Sequence, residues 1–330
     1  MAPGQEALSS IRAFNQSLLR ELRTQGFDAE RIALETALHQ PGSGRSNYIV
    51  DSLYLEAFPD LSLRLKHSES LSLFLHYLPT LVRLGRSCDF NELTTIEKDA
   101  LRSAERVLVP SAYMKQLLRT WAPLSGSVHI VEPGVPSPNT EAQENRTISQ
   151  TPSSRQAAVV GTLREEKGQL ALLQQLALIP VQNASWGLKF LGDATSRPAY
   201  NDACEELVRR SEVLQGRISF TGELGAEEVQ QSLRNSTLLV SASRMESYGM
   251  ALAEARAIGI PILALDRGNA SAHVKKDCGG ELCRDDAQLA TRLHELCSQP
   301  AELSRRKKLA QANVRNRSWA QAADDLLTIS

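Results

Sequence analysis

Apolar residues fall into two alternating patterns along this chain. One is a set of short, nearly unbroken runs: Tyr48-Ile49-Val50, Leu71 to Leu75, Val107-Leu108-Val109, Val128 to Val131, Ala157 to Val160, Trp186 to Leu191, Ile218-Ser219-Phe220, Leu238-Leu239-Val240 and Ile262 to Leu265. Runs this short, apolar throughout, mark strands covered on both faces, as in a parallel sheet. The other pattern recurs every three or four residues. Leu8, Ile11, Phe14, Leu18, Leu19 and Leu22 predict a helix over 7–25 that Gly26 ends. The same spacing predicts helices over 92–105, 112–121, a stretch closing near Ala177, and 199–211, 227–233 and 250–257. FDAERIALE after Gly26 is compatible with a strand, and Leu78-Pro79 with a break.

Strands alternating with helices imply α/β architecture, with parallel sheets layered between helices. Above ~250–300 residues a single core usually divides, so 330 residues favour two domains. The composition shift sits at 136–156, PSPNTEAQENRTISQTPSSRQ, polar and poor in apolar anchors. The expected division is a first domain over 1–136, a linker over 137–156 and a second domain over 157–330, with a final helix free to pack back on the first domain. Two such sheets place a cleft between their carboxyl ends, where ligands bind this architecture. A strand should lead into the 7–25 helix, yet only Met1-Ala2-Pro3-Gly4 precedes it. The first strand is therefore expected to be missing, or the true start to lie upstream.

The stretch from Leu238 to Leu265, LLVSASRMESYGMALAEARAIGIPILAL, carries the densest chemical signal. It reads as strand, loop, helix, turn and strand. Ser247 is expected to cap the helix Met250 to Ala257, and Gly259 and Pro261 to end it. A helix that starts beyond a strand's carboxyl end aims free N–H groups and a positive dipole end at that place. Glu246 and Glu254 bracket its start.

Composition removes several classes. A net charge of −1 is not that of a polycation for nucleic acid. The basic run Arg305-Arg306-Lys307-Lys308 reads as a solvated helix face. Five cysteines, an odd number with no CxxC pair, suit a reduced, cytoplasmic chain without structural zinc. MAPGQEALSS lacks the charged and apolar regions of a signal peptide, and no run of ~18 apolar residues occurs. Arg12, Arg20 and Arg23 beside Ile11, Phe14 and Leu19 allow at most peripheral membrane contact.

GTLREEKG at 161–168, FTGEL at 220–224, ESYGMALAE at 246–254, DRGN at 266–269 and SWAQAADDLL at 318–327 follow one another in the order found in glycosyltransferase family 4. The chain resembles that family over 157–330. It does so more weakly in the first half, through LFLHYLPTL at 73–81, EKDALRSAERVLVPSAYM at 97–114 and VHIVEPGV at 128–135. The resemblance implies the GT-B fold, two Rossmann-like parallel-sheet domains facing a cleft. It also implies retaining, metal-independent transfer of a sugar from a UDP- or GDP-sugar, with no cofactor. No Asp-x-Asp metal pair occurs in the chain.

Roles follow from the same resemblance. Gly161 opens the phosphate loop, in which Lys167 and Arg164 meet the diphosphate; the commoner family pattern has arginine directly after the loop glycine, where this chain has Thr162. Ser247, Gly249, Met250 and Ala251 form the helix start that faces the phosphates. Glu254 accepts from the ribose hydroxyls, and Glu246 lies by the transferred sugar and helps stabilise its cationic transition state. Glu223 and Leu224 border the base. His76 lies near the sugar hydroxyls, and Asp51 is either an acceptor contact or a strand-end carboxylate. The acceptor is a glycan, a lipid or a small metabolite. Two other readings stand beside this one: a nucleotide-sugar-binding scaffold whose catalysis has decayed, suggested by the short amino terminus, and a nucleotide-sugar epimerase.

Overall fold

The computed structural model describes residues 8–39, 47–64, 70–121, 124, 126–135, 155–180 and 186–329. It divides into two compact units: Met1–Gly134 with Arg317–Ser330, and Val135–Asn316.

In the first unit α1 (Leu8–Thr24) is followed by α2 (Leu34–His39), β1 (Asn47–Asp51), α3 (Phe58–Arg64), β2 (Ser70–Phe74), α4 (Pro79–Leu84), α5 (Thr95–Ser103), β3 (Arg106–Val109), α6 (Ala112–Arg119) and β4 (Ser127–Ile130). Among the described residues the four strands pair in parallel in chain order. The apolar stripe of α1 is spent on the core: Phe14, Leu18 and Leu22 pack with Phe74, Leu108 and Val131 and with Ala322, Ala323 and Leu326 of the last helix, Trp319–Leu327. Ile11 is buried as well, Leu19 is half-buried, and Arg12, Arg20 and Arg23 are exposed.

Two local expectations change in this unit. FDAERIALE forms no strand; 25–33 is turn and coil, and helix begins at Leu34. Pro79 begins a helix rather than breaking the chain, since proline's missing N–H costs nothing in a helix's first turn. That start is held from elsewhere. Glu97, 1% exposed, accepts from Thr80 N (2.8 Å) and Oγ1 (2.6 Å), and from Thr94 N (2.8 Å) and Oγ1 (2.8 Å). One buried carboxylate thus satisfies orphan N–H groups at the starts of both α4 and α5.

In the second unit the elements are β5 (Arg155–Val160), α7 (Gln169–Ala177), β6 (Trp186–Leu191), α8 (Pro198–Arg210), β7 (Ile218–Phe220), α9 (Ala226–Arg234), β8 (Leu238–Ser241), α10 (Met250–Ala257), β9 (Ile262–Leu265), α11 (Ala270–His273), β10 (Glu281–Cys283), α12 (Asp286–Ser298) and α13 (Pro300–Ala312). The chain ends in α14 (Trp319–Leu327), which belongs to the first unit. Arg155 and Gln156 are strand rather than linker: they pair with 186–187, and Gln156 O accepts from Thr237 N at 2.8 Å. Residues 137–154 of the expected linker, and Met1–Gly4 ahead of α1, on which the expectation of a missing first strand rests, lie outside the described residues.

The second sheet has the order β10-β9-β8-β5-β6-β7, parallel at every pairing. It is buried on both faces, with a period of two. Ala157, Val159, Leu238, Val240, Leu263 and Leu265 join one cluster with α7, α8 and α12 residues. Ala158, Leu239, Ile262 and Ala264 join the other with Leu233, Leu252 and Ala255. This accounts for the unbroken apolar runs. The basic run on α13 is only partly solvated: Arg306 is 12% exposed and pairs with Glu281 and Glu302.

Candidate functional site

From β5 the chain proceeds outward to β6 and β7 on one side, and from β8 to β9 and β10 on the other. β5 and β8 are therefore the strands between which connections diverge, and the crevice beyond their carboxyl ends is where such sheets bind ligands. The loop after β5 is 161–168 and the loop after β8 is 242–249.

Backbone contacts lock these loops together. Gly168 has φ +68°, and a Cβ there would lie 2.3 Å from Ala242 O. Arg244 N donates to Glu166 O at 2.8 Å. On the other flank a Cβ at Gly192, after β6, would lie 2.4 Å from Gly161 O, and Leu163 N donates to Asp193 O at 2.8 Å. Gly192 N in turn donates to Gly222 O at 3.2 Å, joining the loop after β7. Glycine is required at 168 and 192 because backbone occupies the space of a side chain. From below, buried Gln169 donates through Nε2 to Thr162 O (2.9 Å), and Tyr200 OH accepts from Leu170 N (2.9 Å).

The side chains in this frame converge. Lys167 Nζ lies 3.2 Å from Ser243 Oγ and 3.9 Å from Glu246 Oε1. Glu246 Oε1 also accepts from Ser241 Oγ at 3.5 Å. The stem of Lys167 passes over Gly161, which has φ +140°; a Cβ at Gly161 would lie 3.6 Å from Cδ and Cε. Arg164 pairs with Glu166, and its Nε is buried without a hydrogen-bond partner. Arg244, unremarked in the sequence, pairs with Asp286 at 2.7 Å.

The start of α10 differs from expectation in one respect. Its N-cap is Gly249, at φ +98°, and no side chain caps it. Ser247 stands two residues further out, too early for the position from which a hydroxyl reaches the first turn. Met250 and Ala251, the first two helical residues, are half-buried: Met250 against Tyr248 and Ala253, Ala251 on the sheet side. Glu254 lies one turn further along. Its carboxylate accepts no hydrogen bond from the described residues, and burial pushes it up to about 7.

The loop Glu246–Gly249 is fixed by α11 and the residues before it. Asn269 N donates to Glu246 O at 2.7 Å, and a Cβ at Gly268 would lie 2.2 Å from that same oxygen. Tyr248 O lies 2.7 Å from Asn269 Nδ2 and 2.8 Å from His273 Nε2, both side chains being buried. In the loop after β7, Glu223 is exposed, and Leu224 packs on the cluster containing Leu233 and Leu252.

His76 belongs to the first unit and is described apart. It lies two residues beyond β2, 8% exposed, stacked on Phe74 (4.3 Å between centroids) and edge-on to Phe14 (4.7 Å). Its Nε2 is 3.3 Å from Asp51 Oδ2 at the end of the neighbouring strand β1. Burial raises Asp51, but His76, Asn15 Nδ2 (2.8 Å) and Leu53 N (2.9 Å) outweigh it and hold the carboxyl below its ordinary value. Asp51, left open in the sequence, is thus the partner of His76.

Two successive parallel-sheet units, the second in Rossmann order with its loops gathered at the switch point, define the GT-B class of glycosyltransferase folds. Solved structures agree at the level of fold. Sucrose-phosphate synthase from Thermosynechococcus elongatus superposes with a TM-score of 0.64 at 21% identity, over 86% of this chain and 72% of that one. Anabaena HepE, solved with UDP and glucose, does so at 0.66 and 17% identity, over 85% and 77%. Residues 154–299 match the family described as glycosyl transferases group 1. Among sequence relatives, the D-inositol 3-phosphate glycosyltransferase of Nocardia farcinica is 27% identical over 244 residues, 70% of this chain and 53% of that protein. The chain spans about half the length of the curated relatives it matches first. Among the described residues no helix is long and apolar enough to cross a membrane.

Proposed function

We propose that this chain is a retaining glycosyltransferase that takes a sugar from a UDP- or GDP-sugar, with the donor held by the second unit. The observation that carries the reading is Lys167, whose ammonium lies 3.2 Å from Ser243 Oγ and 3.9 Å from Glu246 Oε1 beside the β5–β8 switch point. A diphosphate arriving there meets a fixed cation and the N-terminus of α10, both suited to the negative charge that develops on a leaving nucleoside diphosphate. The reading assigns that charge to Lys167 and the helix, so it asks for no metal. Glu246, released from Lys167 by the competing phosphate, becomes free to accept from sugar hydroxyls and to face the cationic sugar. Glu254 takes the ribose hydroxyls, while Glu223 and Leu224 border the base. His76, on the first unit, keeps the catalytic role that the resemblance implies for it. In the transfer the bond from the anomeric carbon to phosphate oxygen breaks and one to the acceptor oxygen forms on the same face; the acceptor proton passes to the departing phosphate. The acceptor is a glycan, a lipid or a small metabolite, and five cysteines that form no disulfide suit a reducing, cytoplasmic setting.

Thermal shift with UDP, GDP and their sugars tests the donor, because a ligand that binds only the folded state raises its melting temperature. Lys167→Ala is expected to weaken UDP or GDP binding roughly tenfold to fiftyfold, the worth of one charge-assisted contact. Unchanged affinity in this variant, measured calorimetrically, would remove Lys167 from the site. Failure of the wild-type chain to bind either nucleotide would overturn the donor reading.

A further inference from the structure

The carbonyl of Tyr248 has an unusual pair of partners. Asn269 Nδ2 lies at 2.7 Å and His273 Nε2 at 2.8 Å, and the two side-chain nitrogens are themselves 3.5 Å apart. A carbonyl oxygen only accepts, so both contacts require N–H donors, and the histidine proton must sit on Nε2. Burial lowers His273 to about 4, which leaves the ring neutral, with one proton to place, at working pH. The ring is further fixed: it stands edge-on to Tyr248 at 4.9 Å, and a Cβ at Gly249 would lie 3.3 Å from its Cδ2.

The peptide that carries this carbonyl also carries the N–H of Gly249, the N-cap of α10. Among the described residues no peptide bond is cis. In a trans peptide the N–H points opposite to the C=O across a rigid plane. Holding the oxygen toward Asn269 and His273 therefore holds the Gly249 N–H toward the face away from α11. Gly249, at φ +98°, has the conformational freedom to let this plane rotate if it is released. Asn269 adds a second restraint through its own N–H on Glu246 O at 2.7 Å, so both ends of the segment 246–249 are tied to one residue.

We propose that Asn269 and His273 are positioning residues for the donor's diphosphate, orienting the Tyr248–Gly249 peptide so that its N–H serves the phosphates. The inference rests on the donor reading above and adds to it two residues that touch no ligand. Their effect is specific to the phosphate part of the donor. The nucleoside part is met by Glu254 and the loop after β7, which neither residue contacts by hydrogen bond.

The test compares a nucleoside with its diphosphate, uridine with UDP or guanosine with GDP, by calorimetry on the full chain. For wild type, His273→Ala, Asn269→Ala and the double variant, diphosphate affinity is expected to fall about fivefold in each single variant and roughly twentyfold or more in the double, with nucleoside affinity unchanged. His273→Gln, whose amide N–H reaches the same carbonyl, is expected to restore most of the loss, and it carries the test if the alanine variant fails to fold. Equal losses for nucleoside and diphosphate would show a general structural role and overturn the inference, as would unchanged diphosphate affinity in the double variant. If the wild-type chain binds no diphosphate, the donor reading itself fails first, and this inference with it.

Discussion

Glu254→Gln is expected to make the protein more stable at neutral and alkaline pH and to weaken nucleotide binding about a hundredfold. Glu254 stands at about 7 in the folded chain through burial alone, against 4.5 for an ordinary glutamate. Between those values the unfolded chain has released this proton and the folded chain still holds it. Stability contributed by this group is therefore lost as pH rises from about 4.5 to about 7, and the penalty is complete above that. A displacement of this size corresponds to roughly 3 kcal/mol at most, since one pKa unit is about 1.4 kcal/mol. Glutamine keeps the shape and has no charge to desolvate. Urea unfolding at pH 5 and pH 8 should show the variant gaining about 2–3 kcal/mol on wild type at pH 8 and little at pH 5. A flat difference across that range would mean that Glu254 is ionised in the folded state near its ordinary value. The cost falls on function, because a carboxylate offers an acceptor to each ribose hydroxyl and a glutamine only one. In the role proposed for it Glu254 is ionised, so nucleotide binding by the wild type below pH 7 should release a proton, measurable as a buffer-dependent binding heat.

Gly168→Ala should cost about 3 kcal/mol or more and dislodge Lys167, whereas Gly216→Ala should cost about 1 kcal/mol and leave the site intact. Both glycines occupy left-handed backbone, at φ +68° and +71°. They differ in what a methyl group would meet: Ala242 O at 2.3 Å for Gly168, nothing within 4 Å for Gly216. Subtracting one variant from the other in urea midpoints isolates the closeness of the loops after β5 and β8 from simple backbone strain. Equal costs would show that the two loops can part without harm. The same comparison on nucleotide affinity should find the effect in Gly168→Ala alone.

Much of this fold could be read from apolar patterning. Every expected strand of the second unit is present, and only the ends of β5 and β8 shift, β5 by two residues and β8 by one, because the sheet is buried on both faces and its strands are apolar nearly throughout. The misreadings are local. FDAERIALE alternates only over its first four residues, the N-cap of α10 is Gly249 and not Ser247, and Arg155-Gln156 are polar residues at the start of a strand. The placing of Lys167 and Glu246 in the loops after β5 and β8 could be read from the strand pattern, and the two side chains meet at 3.9 Å. Asn269, His273 and Gln169 act on backbone carbonyls, and which carbonyl a side chain meets depends on how one loop lies over another. A weak signal existed: Gln169 shares the buried face of α7 with Leu172, Leu173 and Leu176, and His273 is buried next to Val274, where an unsatisfied polar group would be costly.

The place of α14 has a consequence for how the protein is made. Its Ala322, Ala323 and Leu326 cover Phe14, Leu18 and Leu22 of α1, so the first unit is assembled from both ends of the sequence. Domains of a nascent chain generally fold in the order in which they emerge from the ribosome. Here the second unit is contiguous in sequence and can close while translation is still under way. The first unit, begun earlier, keeps an apolar face of α1 uncovered until α14 has been translated.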